Sequence, residues 1–405
     1  MEGQPLLPHH FNDKEKIMIK KVIIKSEDGF TLVELMITMV VFVFVMTAAS
    51  VVFTGLLTQF KQQSKIAETN IEGIVGLEIL RQDIEHAGYG LPWNFQSAIN
   101  YSEAASSPGS SYNDAPGNIP RPVVTGNNVS YSGTHIYNGS DYLVIKASNA
   151  TQDPASLKFT TLSSISPYKV TWDPSTENFT NTDNVVVLSP GTTDANAKTL
   201  IVNGATFYTP FQNVASSPWL PLDRTTTNVV YGISTGTPVR PFNRADYYIS
   251  RPTSNMPSRC APGTGILYKA VMNQDNSGSF NLLPLLDCVA DMQVVYAIDR
   301  VGNGTIEYID DLAGLTDTNG NGLIDPLEIR QQVTEVRVYV LAHEGQRDTS
   351  FTYQSSSIRI PPLTDPAAGV GRPAPGFDLT QIGDPEYKYY RWKIYTVVAR
   401  PIDLR

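Results

Sequence analysis

From Phe30 to about Leu57 the chain is almost wholly apolar, interrupted by small polar residues such as Thr47 and Ser50, by Gly55, and by one carboxylate, Glu34. At ~1.5 Å per residue about 20 residues cross a hydrocarbon core, and this run exceeds that length. Beyond it, Phe60, Ile66, Ala67, Ile71, Ile74, Val75, Leu80 and Ile84 recur at helical spacing. Lys61, Lys65, Glu68, Glu72, Arg81 and Asp83 lie largely between them. The pattern predicts one long helix with a membrane-spanning half over 30–57 and an amphipathic half over 58–90 whose apolar stripe packs on the rest of the protein. Gly88, Gly90 and Pro92 end it.

Residues 91–405 read differently. A Ser, Pro, Asn and Gly-rich stretch from Leu91 to Pro122 predicts an extended loop. Short runs rich in β-branched and aromatic residues follow: 141–145, 184–188, 199–202, 247–249, 266–268, 292–296, 336–340 and 392–398. Their spacing and turn content predict antiparallel sheet. The fold class is therefore α+β, a long N-terminal helix packed on a large antiparallel β-rich head. No repeat and no low-complexity linker divides that head.

Charge narrows the function. The 405 residues carry a formal net charge of −9, with 17% charged residues, so no broad basic surface supports nucleic-acid binding. Lys20, Lys21 and Lys25 precede the apolar run, which by the positive-inside rule keeps the N-terminus in the cytoplasm and sends the head across the membrane. There, Cys260 and Cys288 can close a disulfide loop of about 28 residues, or remain two buried thiols.

Glu34 does not suit a plain anchor. A carboxylate at the centre of a membrane helix costs about 2.5–3.5 kcal/mol on insertion scales, less near an end, and such groups usually have a cationic partner. The hexapeptide Gly29-Phe30-Thr31-Leu32-Val33-Glu34 resembles the cleavage and methylation motif of type IV prepilins and type II secretion pseudopilins. The resemblance implies a leader over 1–29, cleavage after Gly29 by a prepilin peptidase and methylation of Phe30. It implies also that Glu34 neutralises the terminal amine of a neighbouring subunit in a filament. A Sec signal is a poor fit, because its apolar region is shorter and its cleavage site follows that region. The stretch before Lys20 is long for a leader, and Met18 would start one of ordinary size.

The helix end from Leu80 to Gly90 is similar to that of the PilW group of minor pilins and, less closely, of J-type minor pseudopilins. The stretches 337–341 and 391–400 also resemble strands that close such heads. The resemblance implies a bacterial inner-membrane protein with a periplasmic head, whose partners are other minor and major pilins and the inner-membrane assembly platform. Residues 95–280 match nothing in that pattern and are expected to hold an insertion that sets partner specificity.

One chemical motif stands out in the head. Asp317-Thr318-Asn319-Gly320-Asn321-Gly322-Leu323-Ile324-Asp325-Pro326-Leu327-Glu328 satisfies the calcium-loop pattern D-x-[DN]-x-[DN]-G-x5-E over 317–328. It offers Asp317, Asn319, Asn321, the Leu323 carbonyl, Asp325 and Glu328 as hard oxygen ligands for calcium. Without two long flanking helices it reads as an EF-hand-like loop in a β head. Catalysis is not expected: the single esterase-like match, Gly232-Ile233-Ser234-Thr235-Gly236, is followed by Pro238 and Pro241 where a nucleophile elbow needs a helix.

Overall fold

A computed structural model describes residues 29–130, 139–193, 196–252, 254, 256–372 and 374–404. The lysines at 20, 21 and 25, and the rest of the leader before Gly29, lie outside the described residues. The helix α1 runs Leu32–Glu85, and the chain divides into two compact units at Lys61 and Gln62.

In the first unit, α1 contains a stretch long and apolar enough to cross a membrane. Its hydroxyls do not break the apolar surface. Thr47 Oγ1, Ser50 Oγ and Thr54 Oγ1 donate to the carbonyls of Val43, Met46 and Ser50 at 2.7, 2.8 and 2.9 Å. Such back-bonding satisfies the side chain within the helix that carries it.

In the second unit, the distal part of α1 docks on a sheet through Leu80 and Ile84 of the expected stripe, but not through its Ile71, Ile74 and Val75. Thr69, Gly73, Gly76, Leu77, Leu80 and Ile84 are buried, whereas Ile71, Ile74 and Val75 remain 64%, 65% and 58% exposed. The reason is the approach distance. Gly76 sits against the backbone of Leu285, so that a Cβ there would overlap the Leu285 carbonyl oxygen, and Gly73 faces Leu286 and Tyr395. Two glycines let the helix backbone come closer than branched side chains permit. The outward apolar stripe is left over from that choice. Asp83 fixes the docked end: its carboxylate takes Lys269 Nζ at 2.5 Å and accepts from the buried Tyr247 hydroxyl.

The sheet beneath α1 is antiparallel. Its strands run in the order Arg391–Ala399, Val333–Glu344, Phe280–Ile298, Gly265–Met272, Asn243–Ser250, Tyr142–Ala147 and Val123–Gly126. Alternation sorts the side chains. Val336, Val338 and Val340 face the core that holds Leu77, Leu80 and Ile84. Tyr339 and Leu341 face a second core formed with Ile360, Phe377, Leu379 and Trp392. Both faces being covered, the central strand Phe280–Ile298 is buried almost continuously from Leu285 onward.

A smaller sheet is inserted into this one. Tyr142–Ala147 pairs directly with Asn243–Ser250, yet the chain between them builds Phe159–Ser163, Asn184–Ser189, Thr199–Leu200 and Thr227–Ser234. These form a sheet with its own cores on both faces, Val186 and Leu188 on one side, Val185 and Val187 on the other. Because the insertion leaves from and returns to neighbouring strands, no flexible linker is needed and none appears in the composition.

Cys260 and Cys288 are joined by a disulfide with Cα atoms 4.8 Å apart. Cys288 has φ +59° and lies where the pairing of Gly265–Met272 with Phe280–Ile298 loses register. The bridge thus holds an irregular point in the strand against which α1 packs. His343 supports the same loop, its Nε2 accepting from the Ala261 amide at 2.9 Å, and burial pushes its imidazole down to about 3.

Candidate functional site

At the start of α1, Thr31 and Glu34 bond reciprocally. Glu34 Oε2 accepts from the Thr31 amide and hydroxyl at 2.9 Å each, and the Glu34 amide donates to Thr31 Oγ1 at 3.2 Å. This is a capping box, which satisfies two amides at a helix N-terminus that otherwise lack partners. Thr31 was not singled out from the sequence; its signal was the Thr-x-x-Glu spacing. Gly29, Phe30 and Glu34 are all exposed, Phe30 by 84%, and nothing lies within 4 Å of a Cβ placed on Gly29. The segment is open to an enzyme, and the Glu34 carboxylate is held by its own helix cap.

The second candidate is the loop 317–328. Asp317 accepts from the amides of Gly320 and Gly322 at 2.7 Å each. The Gly322 amide first, and its neighbours in the loop after it, hold the Asp317 carboxyl below its ordinary range. Gly320 and Gly322 have φ of +72° and +78°, the left-handed conformation that turns the loop back on itself. Asn319 and Asn321 both donate Nδ2 to Asp325 Oδ2, at 2.8 and 3.1 Å.

The loop ends in a seven-residue helix, α2, Pro326–Gln332, capped by Asp325 with Glu328 completing a capping box. Glu328 is buried, and its carboxylate takes the Thr318 hydroxyl at 2.8 Å and the Asp325 amide at 3.2 Å. Leu323 stands 67% exposed at the tip. Among the described residues, the one group of three His, Cys, Asp or Glu side chains within ligand distance of each other is Cys260, Cys288 and His343, whose sulfurs form the disulfide. The loop carboxylates are drawn instead to the loop's own amides. Even so, the donor set is all oxygen, and a hard cation can replace the Asn319 and Asn321 amide donors on Asp325.

The esterase-like pentapeptide ends a strand. Thr227–Ser234 closes on Ser234, whose hydroxyl donates to Asp153 at 3.2 Å, and a bend follows rather than a helix. Gly232 is required by packing, since a Cβ there would overlap the Ala155 carbonyl.

A family model described as the prokaryotic N-terminal methylation motif matches residues 24–50. It supports a type IV pilin-like protein. The match covers the segment where Gly29, Phe30 and Glu34 sit, and a motif of this kind implies processing by a peptidase and assembly with other pilins. Together with the apolar helix it points to membrane anchoring. No curated protein and no solved structure matches the chain.

Proposed function

We propose that this chain is a minor pilin of the PilW type, a structural subunit that helps start or complete a type IV pilus, near its tip. The supporting observation is the combination of the methylation motif with an α1 whose outward face, Ile71, Ile74 and Val75, stays apolar after the head has docked on the other face. Exposed apolar stripes of this extent mark association surfaces. In this reading the head faces the periplasm until a prepilin peptidase cuts after Gly29 and methylates Phe30. The subunit then leaves the membrane through the assembly platform. Glu34 exchanges its bonds to Thr31 for the Phe30 amine of a neighbour, so both charges leave water together. The role is assembly, with no turnover.

A minor pseudopilin of a type II secretion system, or a calcium-dependent adhesin, is the second reading, favoured by the inserted sheet. Deleting the gene separates them: loss of pili supports assembly, loss of secretion with normal pili supports the pseudopilin, and normal pili with lost attachment supports adhesion.

The loop 317–328 is proposed to hold calcium through Asp317, Asn319, Asn321, the Leu323 carbonyl, Asp325 and Glu328. Bound calcium would tie the loop to α2. A ligand at 100 times its Kd stabilises a fold by about 2.7 kcal/mol. The expected result is that calcium raises the Tm of the wild type and not of Asp317→Ala, beyond any loss in chelator from the two amide bonds that Asp317 accepts. An equal loss in chelator removes calcium from the account.

A further inference from the structure

The main sheet ends at Arg391–Ala399, whose strand neighbour among the described residues is Val333–Glu344. Nine successive pairs join the two, from Val336 with Ala399 to Glu344 with Arg391, without a shift of register. In an antiparallel pair, every second residue turns its N–H and C=O away from the neighbour. Among the described residues, no other segment's main chain bonds to this outer row. We infer that this edge takes up an extended, acid-bearing segment of another polypeptide as an added strand.

A row of unpaired donors and acceptors is a template for pairing, so edges are usually kept short or blunted by a proline, a bulge or an outward lysine. The opposite edge of the same sheet, Val123–Gly126, is four residues long. Arg391–Ala399 is nine long, with no proline and no bulge. Its one lysine, Lys393, is drawn back toward α1, its Nζ meeting Glu344 at 2.6 Å and Asn70 at 2.8 Å. Thr396 and Val398, on the face away from α1, stay exposed, Val398 by 43%.

Charge separates a different chain from a second copy. Between Arg391 and Ile402 the charged residues are Arg391, Lys393 and Arg400, with no carboxylate. Asp348 holds Arg391 at 2.8 Å and Glu344 holds Lys393. Arg400 is held least: it is 83% exposed and 3.8 Å from Glu335, a carboxylate that Arg337 already meets at 2.6 Å. A second copy paired antiparallel would bring Arg391 toward Arg400, and one paired parallel would set Arg400 beside itself, so neither supplies the missing acid. Past Arg400 a hollow of about 570 Å³ is lined in part by Tyr308, Ile306 and Ile402, the last two 44% and 67% exposed. The segment that fits is a strand with a carboxylate beside Arg400 and an apolar side chain beyond it.

This edge is free whichever assembly the chain serves, so its failure as a docking site leaves the proposed function standing. Hydrogen exchange of the full chain in detergent reads the edge. About every second amide over 391–399 is expected to exchange fast and the rest slowly. Uniform protection would mean that the edge is already covered, and overturns the inference. Photo-crosslinking in the native cells reads the occupant, with benzoylphenylalanine at Thr396 or, as control, at the fully exposed Leu222. Mass spectrometry is expected to map the Thr396 product to one segment of a different protein, with alternating apolar residues and an Asp or Glu. Val398→Asp and Arg400→Glu, at exposed positions, are expected to lower its yield about tenfold while the exchange pattern elsewhere is kept. A product with a second copy, or with a segment lacking a carboxylate, overturns the occupant. A yield no higher than at Leu222 overturns the docking site, and a yield unchanged in both variants overturns strand addition at this edge.

Discussion

Replacing Gly76 with valine is expected to release the distal half of α1 from the head, with a loss of about 3 kcal/mol. The glycine lies where α1 meets the backbone of Leu285, and even a methyl group there overlaps a carbonyl oxygen that belongs to a central strand. A flexible side chain could turn aside; the backbone of a strand held on either side of Leu285 by the pairing of Pro284 and Leu286 cannot. The helix must lift, which exposes Leu77, Leu80 and Ile84 in the main core and strains the Asp83 contacts to Lys269 and Tyr247. The control is Ile74→Ala, at a residue 65% exposed, where the change is expected to stay within about 0.5 kcal/mol. Denaturant unfolding of both variants in detergent checks the pair. A larger effect at Ile74 than at Gly76 would place Ile74, and not Gly76, at the docked face.

Glu103→Ala is expected to be as severe or worse, about 3–5 kcal/mol, the range for breaking a buried ion pair from one side. Glu103 Oε2 meets Lys146 Nζ and Arg244 Nη1 at 2.8 Å each, and all three side chains are fully buried. Asp114 and Asp246 complete the network, at 2.5 Å from Lys146 and 2.7 Å from Arg244. Removing one carboxylate leaves two cations sharing the remaining pair in a dry interior. Burial alone would push the Glu103 carboxyl up; Lys146 and then Arg244 more than reverse this and bring it to about 2. Its folded value is therefore depressed. The stabilisation is present above the ordinary glutamate range near pH 4.3 and is lost as pH falls toward 2. In the variant, that part of the acid sensitivity should disappear along with the stability. An unchanged midpoint would mean that Lys146 and Arg244 are satisfied without Glu103.

The network shows why the head was only partly legible. Val333–Glu344 could be read because its run is β-branched and lies between two strands, and Arg391–Ala399 because its apolar residues alternate with exposed ones at an edge. Phe159–Ser163 and Thr227–Ser234 could not, since they alternate with Thr, Ser and Asn on the inserted sheet. The buried side chains Arg240, Arg244 and Lys146 look like surface residues in a sequence, and only the fold brings Glu103 to Arg244 and Lys146, and the carbonyls of Met272 and Asn273 to Arg240. On α1, hydrophobicity picked out Leu80 and Ile84 at the docked end but missed the contact one to three turns earlier, where Gly73 and Gly76 carry no apolar signal. The loop 317–328 was legible as a motif, but not the diversion of Glu328 to the Thr318 hydroxyl and the Asp325 amide, which depends on α2 starting at Pro326.

The account depends most on where the mature protein begins. Gly29 and Phe30 are open to a peptidase, ahead of a helix capped by Thr31 and Glu34, within the segment matched by the methylation motif. Intact-mass and N-terminal peptide spectrometry of the protein from its native membrane tests this. The account predicts a chain that starts at Phe30 with one added methyl group on its amine. A mature chain that starts at Met1 or Met18 would contradict it.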